Sequence, residues 1–330
     1  MSGHRMPRRT FVRATTAGLA AIPFLGASSL SAAGLARRSR VALVRTRDRQ
    51  AGVTRALELL KVGGIDGKRV VIKPNFNSAD ATPGSTHNDV LGRIALQMHE
   101  RGARSVTVGE SSGPGNTHSI MESKGIFDLA REQRFDVVNF DEMPESDWVA
   151  VGPTGTHWPE GFHLPRAVVD AEYLVTTCCL KTHGFGGVFT MSLKLAVGLT
   201  PKPIRRVMHR SPDMRRMIAE LNTGYRPSLI VLDGVDAFTD GGPGQGELKQ
   251  GNVILAADDR VAIDAVGLAT LKELGANEAI MGRGIFEQEQ MARAVELSLG
   301  ATGPADIEFV TGDADSAAYA AKLEGILARG

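Results

Sequence analysis

Three side chains that can bind anions or move protons lie close together in the middle of the sequence. Lys181 and His183 belong to the run Lys-Thr-His-Gly, and Lys194 follows in an apolar stretch that predicts a short helix over 190–198. Lysine holds a carboxylate or phosphate as a point charge, and histidine exchanges protons near neutral pH. Glycines between them allow a ligand close to the backbone. We expect Lys181 and Lys194 to hold one anionic group, with His183 as hydrogen-bond donor, proton shuttle or metal ligand.

The segment around these residues has an uneven charge pattern. Residues 173–212 contain no Asp or Glu, yet they carry Lys181, His183, Lys194, Lys202, Arg205, Arg206, His209 and Arg210. Without the four arginines of residues 1–36, the formal net charge of the chain changes from +1 to about −3. A basic segment in a mildly acidic body can focus potential on a small anion. His209 is a fourth candidate for the site, whereas Arg205 and Arg206 are interpreted as exposed helix charge and Met208 as packing.

Further candidates precede this segment. Lys73 and Asn75 follow the apolar run Val70–Ile72, so they are expected at the carboxyl end of a strand, where open parallel sheets bind ligands. Thr86 is the predicted N-cap of a helix, and His87 would lie near the free N–H groups of its first turn. These four side chains are predicted to contribute to ligand binding.

Candidate acids come later in the chain. Asp233 follows the apolar run Leu229–Leu232, and Asp258 is the predicted N-cap of the next helix. Asp264 falls inside an otherwise apolar helical stretch, and a buried carboxylate needs a partner. We expect one of the basic residues to be that partner, so that Asp264 orients a side chain of the site.

Short Val- and Ile-rich runs alternate with helical patterns along residues 37–330. This alternation predicts an α/β fold with a single, largely parallel sheet flanked by helices, Rossmann-like in organisation. The stretch 141–166 is irregular and is interpreted as an insert, either a lid or a two-stranded unit. No repeat or charge block divides residues 37–330, which are predicted to form one domain. Strands are predicted at 41–45, 69–73, 105–109, 136–140, 173–178, 228–232 and 253–256, and helices near 51–62, 87–101, 117–132, 212–222, 259–273 and 286–298.

The N-terminus has the pattern of an export signal. Arg8 and Arg9 precede Phe11 and a weakly apolar, Ala-rich stretch that ends in small residues near Ala36. This pattern is typical of a twin-arginine signal peptide over residues 1–36, and predicts interaction with the twin-arginine export machinery and a periplasmic or extracellular destination. The run contains Gly, Pro and Ser, so no permanent membrane span is expected.

The sequence also argues against several classes of ligand. Cys178 and Cys179 are the only cysteines, too few for the four thiolates of an ordinary iron–sulfur cluster, so no self-contained cluster is expected. They are adjacent in a strand-like run, which favours two buried thiols over a disulfide. The low aromatic content and the single glycine-broken basic segment argue against nucleic acid as a partner. The cofactor, if any, is not identified by the residues.

Together these motifs resemble the DUF362 family, a domain of unknown function, over residues 68–275. The shared positions are Lys73-Pro74-Asn75, Thr86-His87, Lys181-Thr182-His183, Lys194, His209, Asp233-Gly234, Gly242-Pro243 and Asp259 to Asp264. Some members of that family carry ferredoxin-like iron–sulfur modules, and this chain looks like a cluster-free, exported member. It departs from many members in having Leu195 where they have Asn. On spacing alone, Lys194 and His209 also resemble the nickel-pincer lactate racemase family.

Three functions remain open from the sequence. The first is an enzyme that acts on a small carboxylate or phosphate, held by Lys73, Lys181 and Lys194, with His183 or His209 moving a proton. The second is a metal- or redox-cofactor-binding protein, with His87, His183 and His209 as ligands and Asp233 or Asp264 nearby. The third is a binding protein without catalysis.

Overall fold

Eleven strands organise the described chain, residues 38–330 of a computed structural model; the signal peptide predicted for residues 1–36 lies outside the described residues. Nine strands form one mixed sheet and two form a small antiparallel sheet. The strands are β1 Ser39–Arg45, β2 Arg69–Lys73, β3 Ser105–Glu110, β4 Asp136–Asn139, β5 Trp148–Val151, β6 Phe162–Pro165, β7 Tyr173–His183, β8 Val188–Thr190, β9 Leu229–Gly241, β10 Gly246–Ala257 and β11 Ile307–Val310.

The large sheet has the order β11-β1-β10-β9-β7-β2-β3-β4, and β8 pairs with β7 beyond this path. Strands β4, β3, β2, β7 and β9 are parallel neighbours, and β11 is parallel to β1. Only β8 and β10 run against the common direction. The prediction of an α/β fold with a largely parallel sheet is therefore confirmed. The carboxyl ends of β2, β3 and β7 meet at one edge of the sheet, where such folds bind ligands.

Helices cover both faces of this sheet. They are α1 Arg49–Leu60, α2 Asn88–Glu100, α3 Thr117–Ser123, α4 Ile126–Gln133, α5 Arg166–Val169, α6 Ser192–Leu195, α7 Lys202–Arg210, α8 Met214–Glu220, α9 Arg260–Glu273, α10 Glu278–Met281, α11 Glu289–Glu296 and α12 Ala314–Arg329. Along β1, Ala42 and Val44 pack into the core of α1 and α2, whereas Val41 and Leu43 pack into the core of α9 and α12. Strand residues buried on both faces explain the nearly continuous apolar runs of the sequence.

The irregular insert at 141–166 is a two-stranded unit. Strands β5 and β6 pair in antiparallel register, and Trp158 and Phe162 pack into a third core beside α7 and α8. His157 holds the insert to α8, because its Nδ1 lies 2.6 Å from the Glu220 carboxylate and its backbone N–H donates to the same group. Of the two interpretations of this segment, the two-stranded one is confirmed.

Several strands are longer than their apolar runs predict. Strand β7 continues to His183 because β8 folds back on it, pairing Lys181 with Thr190 and His183 with Val188. Lys181 and His183 are thus strand residues, not loop residues as the sequence predicts. The glycine-rich run 240–246 is the turn of the β9–β10 hairpin, and Asp233 lies within β9. Gly242 is needed in this turn, since it has φ of 73° and a Cβ there would lie 2.1 Å from the carbonyl oxygen of Thr182.

Two predicted N-caps are wrong by one residue. His87, and not Thr86, caps α2 by accepting the Asp89 N–H, and Asp259, and not Asp258, caps α9 by accepting two N–H groups. Asp258 and Asp259 are equally good capping residues in the sequence, and tertiary partners decide between them. Asp259 also accepts the Ala301 N–H. The short strands β8 and β11 and the C-terminal helix α12 were not predicted.

Gly109→Ala tests how tightly β3 is packed where it approaches the cavity described below. A Cβ at Gly109 would lie 2.2 Å from the ring of Phe140, which is almost fully buried. We expect the overpacking to lower the free energy of unfolding by about 1–3 kcal/mol in urea denaturation. Gly303→Ala is the control, because a Cβ there meets nothing within 4 Å. Equal stabilities of the two variants would contradict this packing.

Candidate functional site

A cavity of about 1030 Å³ opens at the carboxyl ends of β2, β3 and β7. Its wall includes nine side chains that can carry charge or exchange protons: Lys73, Glu110, His183, Lys194, Lys202, Arg205, Arg206, His209 and Arg215. The backbone approaches the cavity through the glycine loop after β7, with Phe185 exposed at its tip. Five of the residues predicted from the sequence for binding or catalysis therefore surround one space: Lys73, Asn75, His183, Lys194 and His209.

His183 and Lys194 form the central contact of this cavity. The Nε2 atom of His183 lies 3.0 Å from the Nζ atom of Lys194, and both side chains are buried. The Nδ1 atom of His183 accepts the backbone N–H of Phe185 at 3.2 Å. A neutral imidazole has one donor and one acceptor nitrogen, so accepting at Nδ1 places the proton on Nε2. Nε2–H then donates to Lys194, which can accept only as a neutral amine.

The electrostatics of the pair favour the same protonation state. Burial, followed by the positive charges of Lys181 and Arg205, lowers the pKa of Lys194 to about 7. Burial, followed by the neighbouring Lys194, Lys181 and His209, lowers the pKa of His183 to about 2. The ring is therefore neutral at physiological pH, and a large fraction of the lysine is unprotonated, unlike an exposed lysine.

The helix that carries Lys194 is held by a carboxylate from another part of the chain. Asp264 of α9 accepts the N–H of Ser192 at 2.7 Å and the N–H of Leu193 at 2.9 Å, which caps α6. Asn222 donates to the carbonyl oxygen of Leu193 at the same helix. The predicted orienting role of Asp264 agrees with these contacts, but its partners are backbone N–H groups and not the basic side chain expected. Burial raises the pKa of Asp264 to about 7 against the lowering effect of these two hydrogen bonds.

Lys73 is paired with an acid that the sequence analysis missed. Its Nζ atom lies 2.5 Å from Oε1 of Glu110, and both side chains are 1% exposed. Glu110 also accepts the N–H groups of Phe76 and Ser111. Burial lowers the pKa of Lys73 and raises that of Glu110, while each partner opposes the shift. The available signal was the position of Glu110 at the end of the strand next to β2.

Lys181, Thr86 and Asn75 have structural contacts close to the cavity. Lys181 donates to the carbonyl oxygens of Gly84 at 2.6 Å and Pro243 at 3.3 Å, and it does not line the cavity. Burial lowers its pKa to about 8. Thr86 accepts the backbone N–H of Asn75 through its hydroxyl. The Asn75 side chain lines the cavity, and its Oδ1 is a buried atom without a hydrogen-bond partner among residues 38–330.

His87 and Asp233 lie outside the cavity. Asp233 is fully buried and binds Arg49 of α1 at 2.7 Å, which is an ion pair that the sequence did not indicate. His87 is half-buried as the cap of α2, and burial followed by the charge of Arg49 lowers its pKa. The three histidines named as metal ligands therefore do not line one space. No group of three or more His, Cys, Asp or Glu within the described range is arranged to hold a metal ion.

Helix α7 supplies Arg205, Arg206 and His209 to the cavity, and these basic residues differ in their surroundings. Arg205 is buried and donates to the carbonyl oxygens of Thr200 and Ser112, so the interpretation of Arg205 as exposed helix charge is wrong. Arg206 and His209 are exposed, lie three positions apart and both line the cavity. Burial, followed by the charges of Lys194 and Arg205, lowers the pKa of His209. Arg206 and His209 thus present one polar face to the cavity.

The two cysteines of the chain are buried in the sheet. Cys178 and Cys179 are both free and fully buried in β7, and burial raises the pKa of Cys179 to about 12. These thiols are kept in the unreactive, protonated form.

None of the helices of the described chain combines the length and apolar character of a transmembrane span.

The fold and cavity define an α/β protein with a ligand-sized site at the carboxyl edge of its sheet. Comparison with family models then identifies the family: the model described as a domain of unknown function (DUF362) matches residues 70–269. The chain belongs to the DUF362 family. The resemblance drawn from its motifs is therefore confirmed.

The chain is also similar to individual proteins, among them one relative by sequence and one solved structure. Thylakoid-associated protein sll1697 of Synechocystis sp. (strain ATCC 27184 / PCC 6803 / Kazusa) is 25% identical over 208 residues, which cover 61% of this chain. The matched region spans 62% of the length of that relative. The structure of the lactate racemase apoprotein from Thermoanaerobacterium thermosaccharolyticum aligns with a TM-score of 0.46 and 13% identity, over 87% of this chain and 85% of that one.

Asp264→Ala tests the anchor of the lysine helix. The substitution leaves the buried N–H groups of Ser192 and Leu193 without an acceptor, so we expect the free energy of unfolding to fall by about 2–4 kcal/mol in urea denaturation. Asp258→Ala removes an exposed carboxylate six positions earlier and should change stability by less than about 0.5 kcal/mol. An Asp264→Ala variant as stable as the wild type would show that α6 is anchored by other contacts.

Proposed function

We propose that the protein is an enzyme that acts on a small molecule bearing a carboxylate or phosphate group. The observation that carries this proposal is the buried contact between His183 Nε2 and Lys194 Nζ on the wall of a large cavity. An amine held near its neutral form can act as a base or nucleophile at neutral pH, which an ordinary lysine does poorly.

The anionic group of the substrate is assigned to Arg206 and His209. Lys73 is paired with Glu110 and Lys181 donates to two carbonyl oxygens, so these two lysines have partners already. Arg206 makes no ion pair with the described residues and lines the cavity beside His209. A guanidinium can bind a carboxylate or phosphate through two parallel hydrogen bonds. This division leaves Lys194 for the reaction.

The protonation state of Lys194 makes the proposed reaction depend on pH. Its pKa is lowered to about 7, so the neutral amine is lost as pH falls below about 7 and is the main form above it. A reaction that needs the neutral amine therefore declines on the acid side of pH 7. The charge of Arg206 has no such dependence, because a guanidinium stays protonated at all these pH values.

Substitutions at Arg206 and Lys194 separate binding from reaction. We expect Arg206→Ala to weaken the binding of pyruvate or inorganic phosphate by about tenfold in isothermal titration calorimetry, because it removes a charge-assisted contact. Lys194→Ala should abolish turnover of any substrate found for the wild-type protein. Measuring binding and turnover on the same variants tells an enzyme from a binding protein without catalysis.

Arg210→Ala is the matched control for Arg206→Ala. It removes the same charge from the same helix, but Arg210 does not line the cavity. We expect its affinity for the anions to stay within about twofold of the wild type, since charges outside the contact act only through screened solvent. Equal losses in the two arginine variants would replace the assigned contact with a general charge effect.

We further propose that the protein is exported by the twin-arginine route to the periplasm or the extracellular space. The support is the sequence of residues 1–36, with Arg8 and Arg9 ahead of an Ala-rich stretch.

Replacing both Arg8 and Arg9 by Lys tests this export route. The double variant keeps the charge but removes the arginine pair, and we expect the protein to stay in the cytoplasmic fraction in cell fractionation. A Lys replacement of Arg5, outside the pair, is the control and should leave export unchanged. Export of the double variant at the wild-type level would contradict the twin-arginine assignment.

A further inference from the structure

We propose that Lys194 forms a covalent imine with the carbonyl carbon of a small anionic aldehyde or ketone. This inference rests on the proposed function, and it adds the chemical class of the substrate and the bond that is made. The position of Lys194 Nζ against His183 Nε2, on the wall of an open cavity, is the observation behind it.

The hydrogen bonds of His183 prepare the amine for attack. The Phe185 N–H occupies Nδ1, so Nε2–H donates to Lys194 and stabilises the neutral amine over the ammonium form. Attack requires Lys194 to release this hydrogen bond, so that the nitrogen lone pair is free for the carbonyl carbon. Gly187 leaves space for this side chain, since a Cβ there would lie 2.5 Å from the Lys194 Cε atom.

The cavity offers partners for the rest of such a substrate. Thr190 is 5% exposed and lines the cavity, and its hydroxyl has no hydrogen-bond partner among residues 38–330. The same holds for the buried Oδ1 of Asn75. Buried polar atoms are normally paired, so a hydroxyl donor and an amide acceptor that both lack protein partners fit a polar ligand. Thr190 is the donor for the carbonyl oxygen, and Arg206 holds the anionic group.

The covalent step balances without a further reactant. Lys194 Nζ attacks the carbonyl carbon, and the C–O π bond opens to give a carbinolamine. The nitrogen then loses its second proton as the C–O bond breaks, so that one C=N bond forms and the oxygen leaves as water with both protons of the amine. His209 lines the same cavity and is neutral near pH 7, so its ring can carry a proton from nitrogen to oxygen.

Reductive trapping tests the imine on the full chain. The protein is incubated with pyruvate, or in a second arm with glyceraldehyde 3-phosphate, and then treated with sodium cyanoborohydride, which converts an imine into a stable amine. Intact mass and peptide mapping should show one adduct, on Lys194. Lys194→Arg and Lys194→Met should each lower the trapped fraction by about tenfold or more, because neither side chain is a nucleophilic amine. Lys322→Arg, which replaces an exposed lysine, should not change it.

The pH dependence provides a second readout. The groups that surround Lys194 are His183 and Lys181 of β7, Arg205 and His209 of α7, and Asp264 of α9. Trapping at Lys194 should fall by about tenfold for each pH unit below the titration midpoint near 7, as the neutral amine is lost. Above pH 7 the two cases differ: trapping at Lys194 should level off, whereas trapping at an exposed lysine should keep rising by about tenfold for each pH unit up to its ordinary value of about 10.4.

The remaining outcomes show whether the imine alone or also the proposed function is contradicted. If the wild type binds pyruvate or the phosphate in ligand-observed NMR but no adduct forms, the imine is wrong and the anion site stands. If trapping is spread over many lysines to the same extent, the imine at Lys194 is also wrong. If neither anion binds nor reacts, both the imine and the proposed function are contradicted.

Discussion

The site depends on two hydrogen bonds from the start of α6 to the carboxylate of Asp264. A helix of only four residues cannot be stable alone, because forming its first turn fixes several backbone torsions for few bonds. Asp264 belongs to α9, which packs in the central core. Its carboxylate therefore fixes the short helix α6 relative to the core. Burying a carboxylate is unfavourable, and the two N–H groups offset this cost. Lys194 is held against His183 as a result.

The buried basic residues of this chain differ in their partners and in their protonation. Lys73 receives a carboxylate partner, Arg205 and Lys181 are surrounded by carbonyl oxygens, and Lys194 is shifted toward the neutral form. A stretch without acids in the sequence is therefore not a uniform cationic surface in the fold. Low dielectric surroundings make each buried charge find a partner or lose its proton. Arg206 is an exposed cation of α7 that lines the cavity and makes no ion pair with residues 38–330.

The sequence predicted the parts of the molecule that depend on local patterns. Strand β2 and helix α9 were located within one residue, because their apolar periodicity and flanking residues are contained in a short window. The extension of β7 to His183 depends on pairing with β8 and β9, and the partner of Lys73 comes from the next strand of the sheet. Such contacts join distant positions and leave no local signal. Lys194 and His183 were found because both chemistry and spacing identify them.

The energetic cost of the cavity wall argues for its chemical use. A buried lysine with a lowered pKa, a buried Lys–Glu pair and two unpaired polar atoms all lower the stability of the fold compared with apolar side chains of similar size. Local rules of this kind are violated most often where a protein binds or reacts. In this chain four residues with such violations, Lys73, Lys194, Asn75 and Thr190, line the same space. Leu or Met at these positions would fill the same space without this cost, which supports the proposal that a ligand binds in the cavity.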